Sequence, residues 1–351
     1  MSQVKQNKLS KCNEVTAVKV GIIGVGGIAV GRHIPAFKQL QDECEIVAVS
    51  DINAERATEV ANEHNIPHVF IDYKDMFAEV DAVCICTPNK FHAEYAVEAL
   101  KAGVHVLCEK PMALSKAECE QMIQEAKKAD KVLAIAYHYR FMQEAQAAKK
   151  SMDEVGKPLV ARVRAMRRRK VPGWGVFTNK ELQGGGSLID YGCHLLDLAV
   201  WLMGNPSHTE VVGSTYNDLS RSPNQLNQWG TFNHETFEVD DHVTAYVKFD
   251  NGASLLLETS WSANIPDDEE HVSISGVNGG INVFPFELYT SKNGMLLNSQ
   301  AAWIDGEENF SLLQANNFIN ACKGKEDLVV KPEEALQTSA IIDAIYNSSK
   351  K

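Results

Sequence analysis

The stretch AVKVGIIGVGGIA, residues 17–29, joins an apolar, β-branched run to a glycine-rich turn. The run predicts a buried strand and the turn then opens a helix, which is the context that a GxGxxG/A dinucleotide fingerprint requires. Gly24 permits the tight turn, and Gly26 lets the backbone approach a pyrophosphate at the helix N-terminus, where the helix dipole favours anions. We predict a dinucleotide site here, against the alternative of a purely structural turn, formed by Gly24, Gly26, Gly27, Ile28 and Ala29.

Residues 17–136 alternate short β-branched runs with helical segments, a pattern typical of repeated βα units in a parallel sheet. Ser115 followed by Glu118 forms a capping box at the start of one helix. The predicted strands are 18–23, 45–50, 69–70, 81–86, 104–108 and 132–136, and the helices between them include 53–64, 92–102 and 115–128.

After about residue 140 the pattern changes to helices and longer strands joined by hairpin signals at Asn251-Gly252, Asn278-Gly279-Gly280 and Asn293-Gly294. Further helices are expected over 187–203, 311–322 and 332–347. The expected fold class is α/β, with a doubly wound parallel sheet in residues 17–138. Residues 139–351 are expected to form a substrate-binding and oligomerisation α+β domain with a large, mostly antiparallel, open-faced sheet.

The composition describes an ordinary globular protein, because 44% of the 351 residues are hydrophobic and 23% are charged. No apolar run approaches the ~20 residues that span a bilayer, so we expect no membrane insertion. Residues 1–16 lack the apolar segment of a secretory signal, so we expect a flexible tail on a cytoplasmic protein. The net charge of −12 argues against nucleic-acid binding, which needs a broad basic surface.

One segment, VARVRAMRRRK at residues 160–170, is locally basic. If it is one continuous strand, alternation places Arg162, Arg164, Arg168 and Lys170 on one face and Arg167 and Arg169 on the other. Acidic neighbours or a subunit partner would neutralise such a face. The alternative is contact with a cofactor phosphate or an acidic substrate.

The cysteines fall mostly inside apolar segments without paired zinc spacing, so they are expected to be reduced, packed residues. Cys84 and Cys86 are two residues apart and should share one strand face, which favours packing over metal or redox use. We expect no metal site. The eight are Cys12, Cys44, Cys84, Cys86, Cys108, Cys119, Cys193 and Cys322.

Polar residues follow the second and fourth predicted strands. Asp51 stands where an acidic residue binds the adenosine ribose hydroxyls, which favours NAD over NADP because a 2′-phosphate would meet a like charge. The alternative for Asp51 is ordinary helix capping. Thr87-Pro88-Asn89 and His92 are expected to line the nicotinamide ribose, with a Pro-Asn turn and a first-turn histidine as the alternative.

The triplet Glu109-Lys110-Pro111 ends the apolar run 104–108. Ligands bind outside the carboxyl ends of parallel strands, so Glu109 and Lys110 should lie beside the cofactor, with Lys110 next to a nicotinamide and a substrate.

The helix that begins at Ser187 carries Asp190 and His194 four residues apart, with Asp197 one turn later. On an α-helix Asp190 and His194 are neighbours on one face, so the carboxylate would orient the imidazole as an acid/base group. The alternative is a salt-bridged histidine at an interdomain contact.

Together, the motifs GIIGVGGIA, CTPNKFH, HVLCEKPMA and GGGSLIDYGCHLLDL, with the strand-end Asp51, make residues 17–350 resemble the Gfo/Idh/MocA oxidoreductase family of sugar and inositol dehydrogenases. The resemblance implies an N-terminal Rossmann domain and a catalytic group of Lys110, Asp190 and His194. It also implies a substrate pocket lined by residues near His138 and Arg140 and by the segment that holds Trp174, an indole suited to stacking on a sugar or to the core.

The expected function is reversible oxidation of a secondary hydroxyl of a sugar, inositol or related polyol, with hydride passing to NAD. An NAD-dependent glycosidase without net redox change and a non-enzymatic NAD- and sugar-sensing regulator are the alternatives. Imperfect alternation in the strands HVTAYVKF and ASLLLETSW predicts a homodimer or homotetramer built through the outer face of the C-terminal sheet.

Overall fold

A computed structural model describes residues 17–350 of the chain. The expected tail over residues 1–16, with Cys12, lies outside the described residues. The first half forms a six-stranded, all-parallel sheet in the order β3-β2-β1-β4-β5-β6. Its strands are β1 (Val18–Ile23), β2 (Cys44–Ser50), β3 (His68–Phe70), β4 (Ala82–Ile85), β5 (His105–Cys108) and β6 (Leu133–Ile135).

Two of the helices that connect these strands begin at a side chain that caps the first turn. The Asn53 side chain accepts from the backbone of Arg56, and Ser115 accepts from Glu118 while donating to its carboxylate, so the predicted capping box is confirmed. These helices are α1 (Ile34–Lys38), α2 (Ala54–His64), α3 (His92–Lys101) and α4 (Lys116–Ala129); a π-helical turn, Ala29–His33, leads into α1, and 3₁₀ turns cover Tyr73–Ala78 and Asn89–Phe91.

Helices cover both faces of this sheet, which is why its strands are almost continuously apolar. Val20 and Ile22 of β1 pack on one face and Ile23 on the other. A C-terminal segment covers part of the first face, where Phe318 packs edge-on against Phe37 with ring centroids 6.5 Å apart.

The second half forms an eight-stranded sheet in the order β14-β13-β12-β11-β7-β10-β9-β8, antiparallel except for the β7–β10 pair. The three hairpin signals are confirmed, since they join β9 to β10, β11 to β12 and β13 to β14. The strands are β7 (Pro158–Met166), β8 (His208–Tyr216), β9 (His242–Phe249), β10 (Ser254–Ser260), β11 (Glu269–Gly276), β12 (Gly279–Asn282), β13 (Glu287–Lys292) and β14 (Met295–Gln300).

Seven further helices belong to this half. They are α5 (Gln143–Lys150), α6 (Met152–Val155), α7 (Lys180–Gln183), α8 (Cys193–Leu202), α9 (Asp218–Arg221), α10 (Phe310–Cys322) and α11 (Pro332–Ser348); a 3₁₀ turn covers His138–Phe141 and a π-helical turn, Leu188–Gly192, precedes α8. One sheet face packs on α8 and α11. The other face is open, and Val212, Tyr246 and Leu256 lie exposed side by side across β8, β9 and β10.

The basic segment is not one continuous strand. β7 ends at Met166 and Arg169 adopts a left-handed conformation with φ of 60°, so the predicted alternation through Arg168 and Lys170 is wrong. Acidic neighbours do neutralise part of the segment, because Arg164 pairs with Glu269 at 2.8 Å and Lys170 pairs with Asp268. Within residues 17–350 no helix is both long and apolar enough to cross a membrane.

Candidate active site

The glycine turn leaves room for a ligand above its backbone. Gly24 has a φ of 87°, and a Cβ there would lie 2.9 Å from the carbonyl oxygen of Cys86, so only glycine fits. A Cβ added at Gly26 or Gly27 would meet no described atom within 4 Å. Packing therefore gives no reason for these two glycines, whereas close approach of a pyrophosphate does.

Asp51 ties the turn to the second strand. Its Oδ2 accepts from the backbone of Val25 and its Oδ1 accepts from the backbone of Asn53, both at 2.9 Å. An ionised carboxylate has about four lone-pair sites, so two remain for the hydroxyls of a ribose. The nearby Arg56 is paired with Glu59.

The segment after β4 is held mainly by protein contacts. His92 is fully buried, with Nδ1 2.8 Å from the carbonyl oxygen of Pro111 and Nε2 3.0 Å from that of Thr87. Both ring nitrogens therefore face carbonyl oxygens. Burial lowers the pKa of His92, and the neutral ring donates to one of the two oxygens. Asn89 donates to the carbonyl oxygen of Gln183, which joins this edge to the end of α7. Pro88 directly precedes the 3₁₀ turn Asn89–Phe91. The Thr87 hydroxyl is buried without a described hydrogen-bond partner.

Glu109 points inward. Its Oε1 lies 2.7 Å from Nε2 of His33, and its Oε2 accepts from the backbone of Lys110. Burial raises the pKa of Glu109, but the hydrogen bond and charge of His33 outweigh burial and hold that pKa below its usual range. Glu109 therefore fixes the backbone that presents Lys110.

Lys110 reaches across from the first half of the chain to the second. Its Nζ donates to the backbone carbonyl of Asp190 at 2.7 Å and lies 3.1 Å from Oδ1 of the same residue. Burial lowers the pKa of Lys110, but the carboxylate of Asp190 outweighs burial and the pKa is raised. Lys110 is therefore an ammonium group that lies between the end of β5 and the π-helical turn Leu188–Gly192.

Asp190 makes no hydrogen bond to His194, so the prediction that its carboxylate orients the imidazole is wrong. Asp190 contacts Lys110 and accepts instead from Nε1 of Trp261 at 3.1 Å, while no described residue partners Nδ1 of His194. The reason is the π-helical turn Leu188–Gly192, whose wider i to i+5 ladder removes the four-residue neighbour geometry of an α-helix.

His194 is nonetheless at the centre of a group of rings. Its imidazole stacks on Tyr139 at 5.1 Å and meets His138 edge-on at 4.7 Å. Burial, together with the charges of Lys110, His138 and Arg32, lowers the pKa of His194 well below its usual value. The ring is therefore neutral at neutral pH, with a free nitrogen able to accept a proton.

The structure brings His138 to this group but not Arg140. The Arg140 guanidinium is fully buried and donates to both carboxylate oxygens of Asp197 at 2.8 Å, with Glu334 as a further partner. It joins α8 to α11 rather than lining a pocket. Trp174 lies on an exposed loop beside Trp229, with ring centroids 5.5 Å apart.

Several site residues carry no recognisable motif. Arg32 stacks over the ring of Phe310 at 5.7 Å, and its Nε and Nη2 are buried without a described partner. Glu270 accepts from the hydroxyls of Tyr139 and Tyr191, both at 2.7 Å. These contacts come from residues far apart in the chain, so sequence spacing gave no signal for them.

Asp240 fixes the start of the π-helical turn Leu188–Gly192, because its carboxylate accepts from the backbone amides of Gly186 and Leu188. A Cβ on Gly186 would lie 1.9 Å from the carbonyl oxygen of Asp240, so the glycines here permit close approach of another loop.

Cys84 and Cys86 share one strand face as predicted, with sulfurs 3.6 Å apart. With His33 they place three possible ligand atoms within 4.8 Å of one another. The hydrogen bond with Cys84 and burial raise the pKa of the Cys86 thiol well above its usual value, which opposes the thiolate that a metal needs. That no metal binds here stays a prediction.

The chain matches two family models, described as oxidoreductase family, NAD-binding Rossmann fold, over residues 18–137, and oxidoreductase family, C-terminal alpha/beta domain, over residues 150–351. It is 35% identical over 338 residues to D-glucoside 3-dehydrogenase of Escherichia coli, covering 95% of each chain. It is 27% identical to D-xylose 1-dehydrogenase (NADP(+)) 2 of Haloferax volcanii over 94% of this chain and 97% of that one.

Among solved structures, an oxidoreductase domain protein from Kribbella flavida superimposes with a TM-score of 0.83, at 21% identity, over 95% of this chain and 97% of that chain. The shared fold, the two family models and the 35% identical relative agree. The chain belongs to the Gfo/Idh/MocA oxidoreductase family and is an NAD(P)-dependent dehydrogenase.

Proposed function

We propose that this protein reversibly oxidises a secondary hydroxyl of a sugar or related polyol, using NAD. The observation that carries the proposal is that Lys110, at the carboxyl edge of the sheet that bears the glycine turn, is hydrogen-bonded to Asp190, four residues before His194, whose Nδ1 is buried without a described partner. A hydroxyl beside these two groups meets both a proton acceptor and a positive charge.

The cofactor, when bound, supplies the hydride acceptor. The glycine turn and Asp51 would hold its pyrophosphate and ribose, with Thr87 and Glu109-Lys110 on the nicotinamide side. As hydride leaves the substrate carbon, His194 takes the hydroxyl proton. Lys110 donates a hydrogen bond to the same oxygen and stabilises its developing negative charge. Asp190 keeps Lys110 protonated and in place, which is its role here rather than orienting His194.

Two observations support the choice of substrate and cofactor. The E. coli relative named D-glucoside 3-dehydrogenase makes D-glucosides the first substrates to test, with oxidation at C3. Asp51 favours NAD because a 2′-phosphate would lie against its carboxylate. Because the Haloferax volcanii relative is named for NADP, we expect a direct comparison of NAD and NADP to test the role of Asp51.

The test is a panel of D-glucosides, free sugars, inositols and sugar acids, each with NAD and with NADP, followed by the absorbance of the reduced cofactor. We expect turnover with NAD on at least one sugar or polyol. Cleavage of a glycoside without net NADH would favour the glycosidase alternative, and ligand binding without any turnover would favour the sensor.

We further propose a homodimer or homotetramer formed through the open sheet face, where Val212, Tyr246 and Leu256 are exposed. A cytoplasmic location is proposed as well, because the seven cysteines within residues 17–350 are free thiols, as is typical of a reducing compartment.

A further inference from the structure

Two exposed tryptophans, Trp174 and Trp229, lie together on neighbouring loops next to Arg167. Trp174 is 53% exposed and Trp229 is 37% exposed, and their ring centroids are 5.5 Å apart. Phe177 supports Trp174 edge-on at 6.2 Å. We call Trp174 and Trp229 the indole platform. So much exposed aromatic surface in one place is typical of a binding surface.

The loops that carry the platform are locked to each other. The Asn227 side chain accepts from the backbone amide of Val171 and donates to its carbonyl oxygen, at 2.8 and 2.9 Å. A Cβ on Gly173 would lie 2.4 Å from the carbonyl oxygen of Thr231, so the two loops are in direct backbone contact. The platform is therefore formed before any ligand binds, which lowers the entropy cost of binding.

Arg167 connects the platform to the catalytic group. Its guanidinium lies 4.6 Å from the Trp229 ring and 4.0 Å from the Tyr191 ring, and 3.7 Å from the carboxylate of Asp190. Asp190 is the residue that holds Lys110. Arg167 thus lies between the indoles and the residue that holds Lys110, at contact distance from both Trp229 and Asp190.

We propose that the indole platform is a subsite for the aglycone of a glycoside, meaning the second sugar ring or aryl group attached to the ring that is oxidised. This inference rests on the proposed function. An indole face packs against the apolar face of a sugar or an aryl ring, and cation–π contact with Arg167 fixes the orientation of Trp229.

The experiment compares an aryl β-D-glucoside and a glucosyl disaccharide with free D-glucose, in wild type and in Trp174→Ala and Trp229→Ala. We expect the ratio of kcat/KM for the glycoside to that for the free sugar to fall about tenfold or more in each variant, as truncation of an aromatic anchor does. Trp303→Ala is the matched control, because Trp303 is 76% exposed and has no aromatic contact with the platform among the described residues. Its ratio should stay at the wild-type value.

A ratio that stays unchanged in both platform variants would overturn the subsite while leaving the proposed function intact. Calorimetric titration of the NAD-bound protein provides a readout that does not need turnover. If the aryl glucoside binds no tighter than free glucose to wild type, or equally tightly to Trp229→Ala, the subsite is wrong. Absence of turnover on every sugar and glycoside, with platform-dependent binding retained, would contradict the proposed function and leave the subsite standing.

Discussion

At the scale of single residues, the site separates two basic groups by their surroundings. The carboxylate beside Lys110 raises the pKa of its ammonium group, whereas burial, together with nearby cations, lowers the pKa of His194. Opposite pKa shifts give the two groups different roles. Lys110 keeps its proton and donates a hydrogen bond, whereas the neutral His194 accepts a proton. The same reasoning gives Arg32 a function that no motif indicated.

Arg32→Met should raise the pKa of His194. Arg32 is one of the cations that lower it, its buried Nε and Nη2 have no described hydrogen-bond partner, and methionine keeps an apolar side chain against the Phe310 ring. Since the pKa of His194 lies well below 6.5, oxidation by wild type should lose its base only as the pH falls below that value. In Arg32→Met, the pH below which the oxidation rate falls should therefore be higher than in wild type.

The measurement is the pH profile of kcat/KM for sugar oxidation, together with histidine NMR of the NAD-bound protein. Arg221→Met, at the exposed end of α9, serves as the control. An acid limb that does not move in Arg32→Met would show that Arg32 does not set the charge of His194.

At the scale of elements, the buried cluster of Arg140, Asp197 and Glu334 joins α8 to α11. Arg140 and Asp197 are both fully buried and bonded through two parallel hydrogen bonds. Such a pair contributes little net stability when complete, but removing Asp197 takes two hydrogen bonds from the buried Arg140 guanidinium and leaves the partly exposed Glu334 as its remaining carboxylate partner.

Asp197→Ala should therefore lower the free energy of unfolding by about 3–5 kcal/mol. Glu181→Ala, which breaks the exposed Lys90–Glu181 pair, should change the free energy of unfolding little. Urea unfolding of both variants gives the comparison. A loss in Asp197→Ala as small as that in Glu181→Ala would mean that water or rearrangement compensates Arg140.

Elements were predictable where a local pattern determines them. The strand Val18–Ile23, the caps Asn53 and Ser115, and the Asn-Gly hairpins all follow from neighbouring residues. The π-helical turn Leu188–Gly192 was not predictable, because one extra residue in a helix leaves the apolar pattern almost unchanged while it moves Asp190 away from His194. The pairing of Arg140 with Asp197 depends on how distant segments pack, which spacing does not encode.

At the scale of the whole molecule, the open face of the large sheet is the surface left for assembly. Val212, Tyr246 and Leu256 form an exposed apolar row, with Arg164 and Glu258 beside it. An exposed row of this kind is typical of a subunit interface.

Light scattering at micromolar concentration should give two or four times the chain mass of 38.7 kDa. Leu256→Glu should shift the mass toward the monomer, because it places a carboxylate in the centre of the row. Leu226→Glu changes another exposed leucine outside the row and should leave the mass unchanged. A wild-type monomer would contradict the proposed assembly.

The central claim is that Lys110 and His194 act together on the oxygen of a sugar carbon that gives up hydride. Its most direct test is single-turnover transfer of deuterium from a carbon-deuterated glucoside, or the best substrate of the panel, to NAD, with the label located by mass spectrometry. Wild type should place the label in the reduced cofactor with a primary isotope effect. Lys110→Met and His194→Ala should bind NAD within a few-fold of wild type and transfer the label about 10²- to 10⁴-fold more slowly, with the double variant little worse than either. Near-normal transfer in both single variants would contradict the account.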